Sequence, residues 1–332
     1  MVYVYKKAIG GKDYFYLRAS LKKGNKAVTK DIAYLGSSPE EVKANIQKLP
    51  QKYEKGIRKA YYRISSLLER NTFLMKAKQL KLREDEFIGK GLVEEVEACR
   101  LHYETFLKRH EKNKEETYRN FAIEFSFNTT SIEGNTITLN QAAKLINENL
   151  TPKNKEPREI FDVQNTISVF LWMLQEQPEL THETIQKIHE GLVKNIDTRT
   201  GYRNFDVRVF RSHFDSTPGE YVKADMGILL DFYNKHKGRM HPLSLAAIFH
   251  HKFEKIHPFA DGNGRTGRML LNLILLKHGY PPLIIAKKRR GEYIDALSAC
   301  DKAHLDKLIP QYKGLAEFAA LEMVRGYWNV FL

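Results

Sequence analysis

Residues 1–36 alternate between apolar or aromatic positions and polar ones, as half-buried strands do. Three such runs, VYVYKKAI, DYFYLRASL and KAVTKDIAYL, are separated by the glycine turns GGK and KKGNK. A period of two places successive side chains on opposite faces of a sheet. The pattern therefore predicts a three-stranded β-meander in this part of the chain.

From residue 37 onward the apolar positions recur with helical spacing. Ser38 and Pro39, followed by acidic residues, are typical of a helix N-terminus, and two long helical patterns follow, GIRKAYYRISSLLERNTFLMKAKQLKL and GLVEEVEACRLHYETFLKRH. The charged run at 108–116 is predicted to be a linker or an exposed helix end. We therefore expect a mainly α protein in three parts: a basic accessory meander over 1–36, a helical region over 37–116 and a larger helical unit over 117–332.

The formal charge of +14 is concentrated near the N-terminus of the 332-residue chain. Residues 1–115 hold 26 Lys and Arg against 15 Asp and Glu, whereas residues 116–332 hold 28 against 25. A basic segment of this kind indicates an acidic partner, either nucleic acid or an acidic protein surface, and solvated lysines are an equal alternative. Aromatic residues between the cations of the meander can stack on bases, but we expect them to build the core of the small sheet.

Two classes of protein are excluded by what the sequence lacks. Only Cys99 and Cys300 are present, without a CxxC pair, so that neither a disulfide framework nor a cysteine zinc site is expected. The longest apolar run, MLLNLILL at 269–276, is too short to span a bilayer, and the start of the chain has no signal-peptide pattern. We therefore expect a cytoplasmic protein without a membrane partner.

The stretch HPFADGNGRTGR, at 257–268, concentrates groups that suit nucleotide chemistry. Its three glycines let the backbone approach a ligand closely, and successive N–H groups there can bind an anion. The helical pattern LLNLILLKHG follows at once, so that these N–H groups lie at a helix N-terminus, which favours phosphate. Arg265 and Arg268 can reach one phosphate chain, Asp261 can hold Mg²⁺, and His257 can take a proton from a hydroxyl. Together these groups predict nucleotide transfer to an alcohol.

Three other interpretations of this stretch are weaker. A P-loop would need lysine and Ser or Thr where the chain has Arg268 and Met269. An EF-hand loop beginning at Asp261 would lack the glycine at its sixth position and the glutamate at its twelfth. A metal site is the third alternative, although Pro258 ends the helix that would present its ligands. Those ligands would be His250, Glu254 and His257.

HPFADGNGRTGR closely resembles the Fic signature, H-P-F-x-D/E-G-N-G-R-x-x-R, with every fixed position filled. The resemblance implies a Fic-type helical bundle spanning roughly 117–320 and transfer of AMP from ATP, with Mg²⁺ as cofactor, to a protein hydroxyl. It makes His257 the base, Phe259 the anchor of the loop and Asp261 the magnesium ligand. The ATP-binding residues that it implies are Gly262, Asn263, Gly264, Arg265, Thr266, Gly267 and Arg268.

A second segment, TTSIEGN at 129–135, is similar to the family's inhibitory motif S/T-x-x-x-E-G/N, which Thr129, Glu133 and Gly134 fill. Thr129 and Glu133 are one helical turn apart and share a face. A carboxylate brought to Arg268 would compete with the γ-phosphate of ATP for the same guanidinium, because both anions seek bidentate donors. We therefore expect an inhibitory helix near 120–135 that blocks ATP within the same chain.

Two further parts of the site follow from the resemblance alone. The strand-like VRVFRSHF at 207–214 occupies the place of a β-hairpin flap that holds the backbone of the target by strand addition. Tyr293, in GEYIDALSACDKAHLDKLI, is the candidate neighbour of the adenine ring. The flap residues expected to contact ATP are Val207, Arg208, Val209 and Phe210.

The sequence leaves three functions open. The first is a protein adenylyltransferase that Glu133 inhibits in cis. The second is a hydrolase of the same fold that removes AMP, with Glu133 positioning the water. The third is a nucleic-acid-binding regulator in which the basic N-terminal third dominates. The target protein and the modified residue are open as well, as is the formation of a homodimer.

Overall fold

The computed structural model describes residues 2–23, 26–109, 111–207 and 216–331. Contacts divide the chain into two compact units, one that ends at Lys81 and one that runs from Leu82 to Phe331. None of the helices in the described ranges is long and apolar enough to cross a bilayer.

The first unit begins with an antiparallel sheet in the order β1-β2-β3, which confirms the predicted meander. Alternate residues of the sheet, including Phe15, Leu17 and Leu35, are fully buried on one face. Tyr5 and Tyr34, by contrast, keep 36% and 53% of their surface exposed. The expectation that the aromatic residues serve the core therefore holds for Phe15 and is wrong for these tyrosines. The strands are β1 (Val2–Ile9), β2 (Lys12–Lys23) and β3 (Lys26–Gly36).

Three helices cover the buried face of the sheet. Val42 of the first helix and Ile64 and Leu68 of the third lie in the same core cluster as Phe15 and Leu17. The helical pattern expected across this region is interrupted at Ala60, where one helix ends and the next begins. Because the sheet and the helices share one core, the meander is part of a unit that extends to Lys81. The helices are α1 (Pro39–Gln47), α2 (Glu54–Lys59) and α3 (Tyr61–Lys78).

In the second unit, the regular elements of the residues described are all helices, which confirms the mainly α prediction. Its centre is the helix that follows the glycine loop, in which Leu270, Leu273 and Ile274 are fully buried. The helices are α4 (Lys90–Arg109), α5 (Lys114–Ile132), α6 (Leu139–Asn147), α7 (Pro157–Glu176), α8 (His182–Val193), α9 (Val222–His236), α10 (Pro242–Ile256), α11 (Asn263–Lys277), α12 (Arg290–Ser298) and α13 (Tyr312–Val330).

Helix α4 belongs to this second unit, although the sequence analysis placed it in the region 37–116. It packs on α13, where His102 Nδ1 lies 2.6 Å from the Tyr327 hydroxyl and Tyr103 makes an edge contact with the Phe331 ring. Contacts therefore divide the chain near residue 81, because side chains far apart in the sequence join α4 to the C-terminal helix. Within the charged run at 108–116, Glu111–Asn113 form a short 3₁₀ turn, and the residues described on either side of it belong to the ends of α4 and α5.

Most of the predicted flap lies outside the described residues. Arg208, Val209 and Phe210 belong to the range 208–215, so their expected contacts with ATP stay predictions. Val207 is described, and its carbonyl oxygen accepts a hydrogen bond of 2.9 Å from Ser216 Oγ.

Candidate active site

The loop between α10 and α11 is held by residues on both sides of its turn. His257, with φ +53°, ends α10, and Gly262, with φ +72°, precedes α11. The fully buried Phe259 stacks on His189 with ring centroids 3.7 Å apart. The Asn263 side chain accepts from the Phe259 N–H and donates to the Phe259 carbonyl, each over 2.9 Å. The backbone N–H groups that begin α11 are thus fixed at the helix N-terminus.

The His257 imidazole has the chemistry of a neutral base. Burial is the main cause that lowers its pKa to about 4. Nδ1 lies 3.4 Å from the Glu254 carbonyl oxygen, and a proton on Nδ1 donates to that oxygen. Nε2 then keeps a free lone pair, which a general base needs.

A buried arginine in the segment that leads into the predicted flap, Arg203, holds the end of α10 in place. Arg203 Nε donates to the carbonyl of His257 over 2.8 Å, and Nη2 donates to that of Ile256 over 3.2 Å. The same guanidinium donates to the Phe205 carbonyl over 2.6 Å and also to that of Thr217. Arg203 therefore ties both ends of the segment 206–216 to the helix end that carries the imidazole.

Glu133, at the C-terminus of α5, bridges the two arginines of the loop. Its Oε1 accepts from Arg268 Nη2 over 2.6 Å, and its Oε2 accepts from Arg265 Nε over 2.8 Å. Both guanidinium groups are buried, whereas the Glu133 side chain is one-third exposed. The sequence analysis had assigned the carboxylate to Arg268 alone.

Thr129 also engages Arg268. The arginine Nε donates to Thr129 Oγ1 over 2.6 Å, and Nη2 donates to the Thr129 carbonyl over 3.1 Å. Burial lowers the pKa of Arg268, but the negative charge of Glu133 and the interactions with Tyr293 and Glu254 together outweigh it, so that the pKa is raised overall. The expected pair of residues one helical turn apart thus meets the same guanidinium, and Gly134 follows them with φ +107°.

Asp162 of α7 is a second carboxylate at Arg265, which the sequence analysis missed. It contacts Arg265 Nη1 directly and is largely buried. Burial raises its pKa, and the positive charge of Arg265 opposes the shift only in part. Arg265 is therefore held between two acidic side chains from different helices.

Asp261 is the residue expected to hold Mg²⁺. Its Oδ1 accepts from the Gly262 N–H over 2.7 Å, and its Oδ2 pairs with Arg158, which is half exposed. Burial raises the pKa of Asp261, but the Gly262 N–H and Arg158 more than offset this, so that the pKa lies below its ordinary value. A single ionised, partly exposed carboxylate suits Mg²⁺, which often takes one or two carboxylates and completes its shell with phosphates and water.

The alternative metal site of His250, Glu254 and His257 has no support in the structure. No group of three or more His, Cys, Asp or Glu residues among those described could hold a metal ion. His250 Nε2 instead lies 2.5 Å from the Tyr293 hydroxyl, and burial raises the pKa of Glu254 to about 7.

Two glycines of the loop are required by close contacts. A Cβ at Gly264 would lie 2.6 Å from Glu133 Oε1 and 3.0 Å from Arg268 Nη1. A Cβ at Gly267 would lie 2.6 Å from a carboxylate oxygen of Glu254. The first turn of α11 therefore has the narrow surface that close approach of an anion needs.

Tyr293 lies in the interior of the second unit. Its ring is stacked between those of His250 and Phe318, with centroids 5.9 and 6.1 Å away. These contacts occupy the ring in this structure, and its role as neighbour of adenine stays a prediction. Thr266 is also buried, and its hydroxyl donates to the Gly262 carbonyl over 2.9 Å.

A large cavity lined by described residues does not coincide with this cluster of charges. It measures about 640 Å³ and is lined by residues of α5 and α13 and by the segment 282–289, with no contribution from 257–268. The cavity and the cluster of charged groups therefore indicate two different locations for the site. We place it at the loop, because that is where the base, the carboxylate and the arginines converge.

The loop also lies within the part of the chain that resembles known proteins. Residues 179–275 match the model of the Fic/DOC family. The chain is 32% identical over 189 residues to "Protein adenylyltransferase Fic" of Drosophila ananassae and 30% identical over 207 residues to "Protein adenylyltransferase fic-1" of Caenorhabditis elegans. These matches cover 54% and 60% of the chain, but only 37% and 40% of the relatives.

A solved structure resembles the fold as well. It is that of a Fic domain-containing signaling protein from Bacteroides thetaiotaomicron, with a TM-score of 0.61 at 24% identity over 70% of this chain and 96% of the other. At that identity the likeness shows the fold alone. The family match assigns residues 179–275, which include the loop, to a Fic domain of the Fic/DOC family, and the likeness of fold agrees with it.

Proposed function

We propose that the chain is a protein adenylyltransferase that moves AMP from ATP to a hydroxyl group of a target protein, and that Glu133 holds it inactive. The proposal depends on one observation above all: the Glu133 carboxylate bridges Arg265 and Arg268 at the N-terminus of α11. The curated relatives carry the name adenylyltransferase, and the loop contains each group that this transfer requires.

In the proposed reaction the hydroxyl oxygen of the target attacks the α-phosphorus of ATP. The bond from that phosphorus to the oxygen bridging the β-phosphate breaks, and pyrophosphate leaves. The proton of the hydroxyl passes to His257 Nε2. The N–H groups that begin α11 and the guanidinium groups of Arg265 and Arg268 bind the phosphate oxygens. Mg²⁺ on Asp261, when bound, would neutralise charge on the phosphates.

Inhibition follows from competition between two anions. The Glu133 oxygens occupy donors of both arginines, and phosphate oxygens seek the same donors. A γ-phosphate can bind Arg268 only if the carboxylate leaves, and a displaced triphosphate would misalign the α-phosphorus with the base. A misplacement of about 1 Å can cost about 10²-fold in rate.

The proposed activity is tested with two labels of ATP. Purified protein, with and without a lysate, is incubated with ATP labelled at the α-phosphate and, separately, at the γ-phosphate. Adenylylation predicts protein bands that carry the α label and lack the γ label. Bands labelled only from the γ-phosphate would mean phosphorylation, and an absence of α label from the Glu133→Gly variant would contradict the transferase.

Removal of AMP is the second candidate activity. The Glu133 carboxylate lies beside Gly264 and is one-third exposed, so that it could position a water molecule near a bound AMP group. This hydrolase would release label from a modified target in the wild type and not in Glu133→Gly. The transferase alone predicts no release by either protein.

Removing Arg158 is expected to lower the Mg²⁺ concentration that gives half of the maximal rate by about 2- to 5-fold, as suits an exposed ion pair. The reason is that Arg158 and Mg²⁺ compete for Asp261 Oδ2. Arg158→Ala is compared with Arg239→Ala, which removes an exposed arginine outside the site, both in the Glu133→Gly background. Equal magnesium requirements in the two variants would contradict the competition.

Protonation of His257 is expected to leave the transfer rate nearly constant from pH 8 to pH 6. His257 must be neutral to accept a proton, and its pKa of about 4 leaves roughly 1% of it protonated at pH 6. An ordinary histidine would lose most of its activity over that range. Initial rates of Glu133→Gly at saturating ATP and Mg²⁺ test this, and a midpoint between pH 6 and 7 that belongs to His257 would contradict it.

A further inference from the structure

Five tyrosines lie on the face of the three-stranded sheet that points away from the core of the first unit. Strand pairing places Tyr5 beside Tyr16 and Tyr16 beside Tyr34. The residues at alternating positions point the other way, into the core with α1 and α3. We call this outward side the tyrosine face, and its members are Tyr3, Tyr5, Tyr14, Tyr16 and Tyr34.

Three rings of the tyrosine face, those of Tyr14, Tyr16 and Tyr34, lie in contact with one another through Tyr34. The centroids of Tyr16 and Tyr34 are 5.4 Å apart, and those of Tyr14 and Tyr34 are 6.4 Å apart. More than half of the Tyr34 surface is exposed to solvent. A small sheet ordinarily uses its aromatic residues to build a core, so that a cluster of rings facing water indicates a partner with planar apolar groups.

The unit that carries this face is strongly basic. Residues 1–81 contain 19 Lys and Arg against 6 Asp and Glu, a net charge of +13 out of the +14 of the whole chain. On the face itself Lys7 is exposed, and the Arg18 guanidinium lies 3.8 Å above the Tyr5 ring. Asp31 pairs with Arg18 over 2.6 Å. The positive electrostatic potential of this unit favours a polyanion as the binding partner.

We propose that the tyrosine face binds single-stranded nucleic acid, with unpaired bases stacked on the rings and phosphates neutralised by the surrounding lysines and arginines. A single strand offers both chemistries at once. A duplex offers the phosphates, but its bases are stacked on each other. An acidic protein surface would satisfy the charges and leave the rings without a planar partner. This inference is independent of the proposed AMP transfer.

The binding is tested on the full chain by fluorescence anisotropy with four labelled 20-mers: oligo-dT, oligo-rU, a duplex, and an abasic strand that has the same phosphates without bases. We expect oligo-dT or oligo-rU to bind at least about tenfold more tightly than the abasic strand, because each stacked base adds to the affinity. Comparison of the first two strands tells DNA from RNA. Binding should weaken steeply between 50 and 200 mM salt, as expected for counterion release.

Matched variants identify the surface. Tyr34→Ala is expected to weaken oligo-dT or oligo-rU binding about tenfold and to leave the abasic strand unaffected, whereas Tyr34→Phe keeps the ring and should bind like the wild type. Tyr62→Ala removes a ring that is 84% exposed on α3 of the same unit and is not a member of the tyrosine face, and should have no effect. Thermal unfolding checks that each variant is folded.

Three results in the comparisons of strands and variants would overturn the proposal, and a complete absence of binding is a fourth. They are equal affinity for the abasic strand and the strands with bases, tighter binding of the duplex, and equal losses in Tyr34→Ala and Tyr62→Ala. Equal affinity for the abasic strand would mean that the surface binds polyanions in general. A protein that binds none of the four strands at 50 mM salt would reject nucleic acid as the partner altogether.

Discussion

Replacing Glu133 with glycine is expected to raise self-modification from labelled ATP by about 10- to 10³-fold. In the proposed inhibition the carboxylate must leave Arg265 and Arg268 before each productive binding event, and breaking such a pair costs at most roughly 3–5 kcal/mol, because the Glu133 side chain is one-third exposed. ATP recovers part of this cost by offering its own phosphate to Arg268, and about 1.4 kcal/mol corresponds to a tenfold change. Incorporation of α-label over time, at equal ATP and Mg²⁺, measures the gain.

Two variants show whether charge competition is the cause. Glu133→Gln keeps the size of the side chain and removes its charge, so that it should raise the activity in the same direction. Arg268→Ala also breaks the pair but removes the donor that the γ-phosphate needs, and it should stay inactive. Unchanged incorporation in Glu133→Gly would mean that the bridge to the arginines does not inhibit.

Replacing His257 is expected to lower AMP transfer by about 10²- to 10⁴-fold, the usual effect of losing a general base. ATP binding should survive, because the imidazole contributes little to holding phosphates. The assay uses the Glu133→Gly background, with initial rates for transfer and calorimetry for ATP binding. More than half of the original rate in a folded His257 variant would contradict its role as the base.

The choice of substituent matters at this position. His257 has φ +53°, a left-handed conformation that costs most non-glycine residues roughly 1–2 kcal/mol. Asparagine tolerates it better than alanine. His257→Asn should therefore lose activity as His257→Ala does, while keeping more of the stability, and a difference in transfer rate between the two would point to loop distortion in the alanine variant.

The contacts that could be predicted from the sequence are those with local patterns. Thr129 and Glu133 share a helical face by their spacing, and the glycines of the loop mark a close approach. The meander could be predicted because the alternation of apolar and polar residues involves only neighbours in the sequence. Local patterns do not predict which side chain of one element contacts another element. The bridge from Glu133 to Arg265 was missed for that reason.

The residues that the sequence analysis missed lie on other elements. Arg158 and Asp162 are each 103 positions from their partners in the loop, and they sit in a helix whose pattern shows only ordinary amphipathicity. The orientation of the tyrosines was misjudged because alternation separates two faces without saying which one is covered. That depends on Val42 and Ile64, which the fold brings onto the opposite face.

Arg203 has a consequence for how this protein could change its target. Its guanidinium donates hydrogen bonds to the carbonyls of Phe205 and Thr217. The same group also donates to the carbonyl of His257, at the end of α10. The sequence between these two anchors can therefore vary in length and composition while the base stays in register with the loop. A target-binding flap in this segment, as the sequence predicts, would let recognition evolve separately from chemistry, since a new target surface would require no change in the residues of the loop.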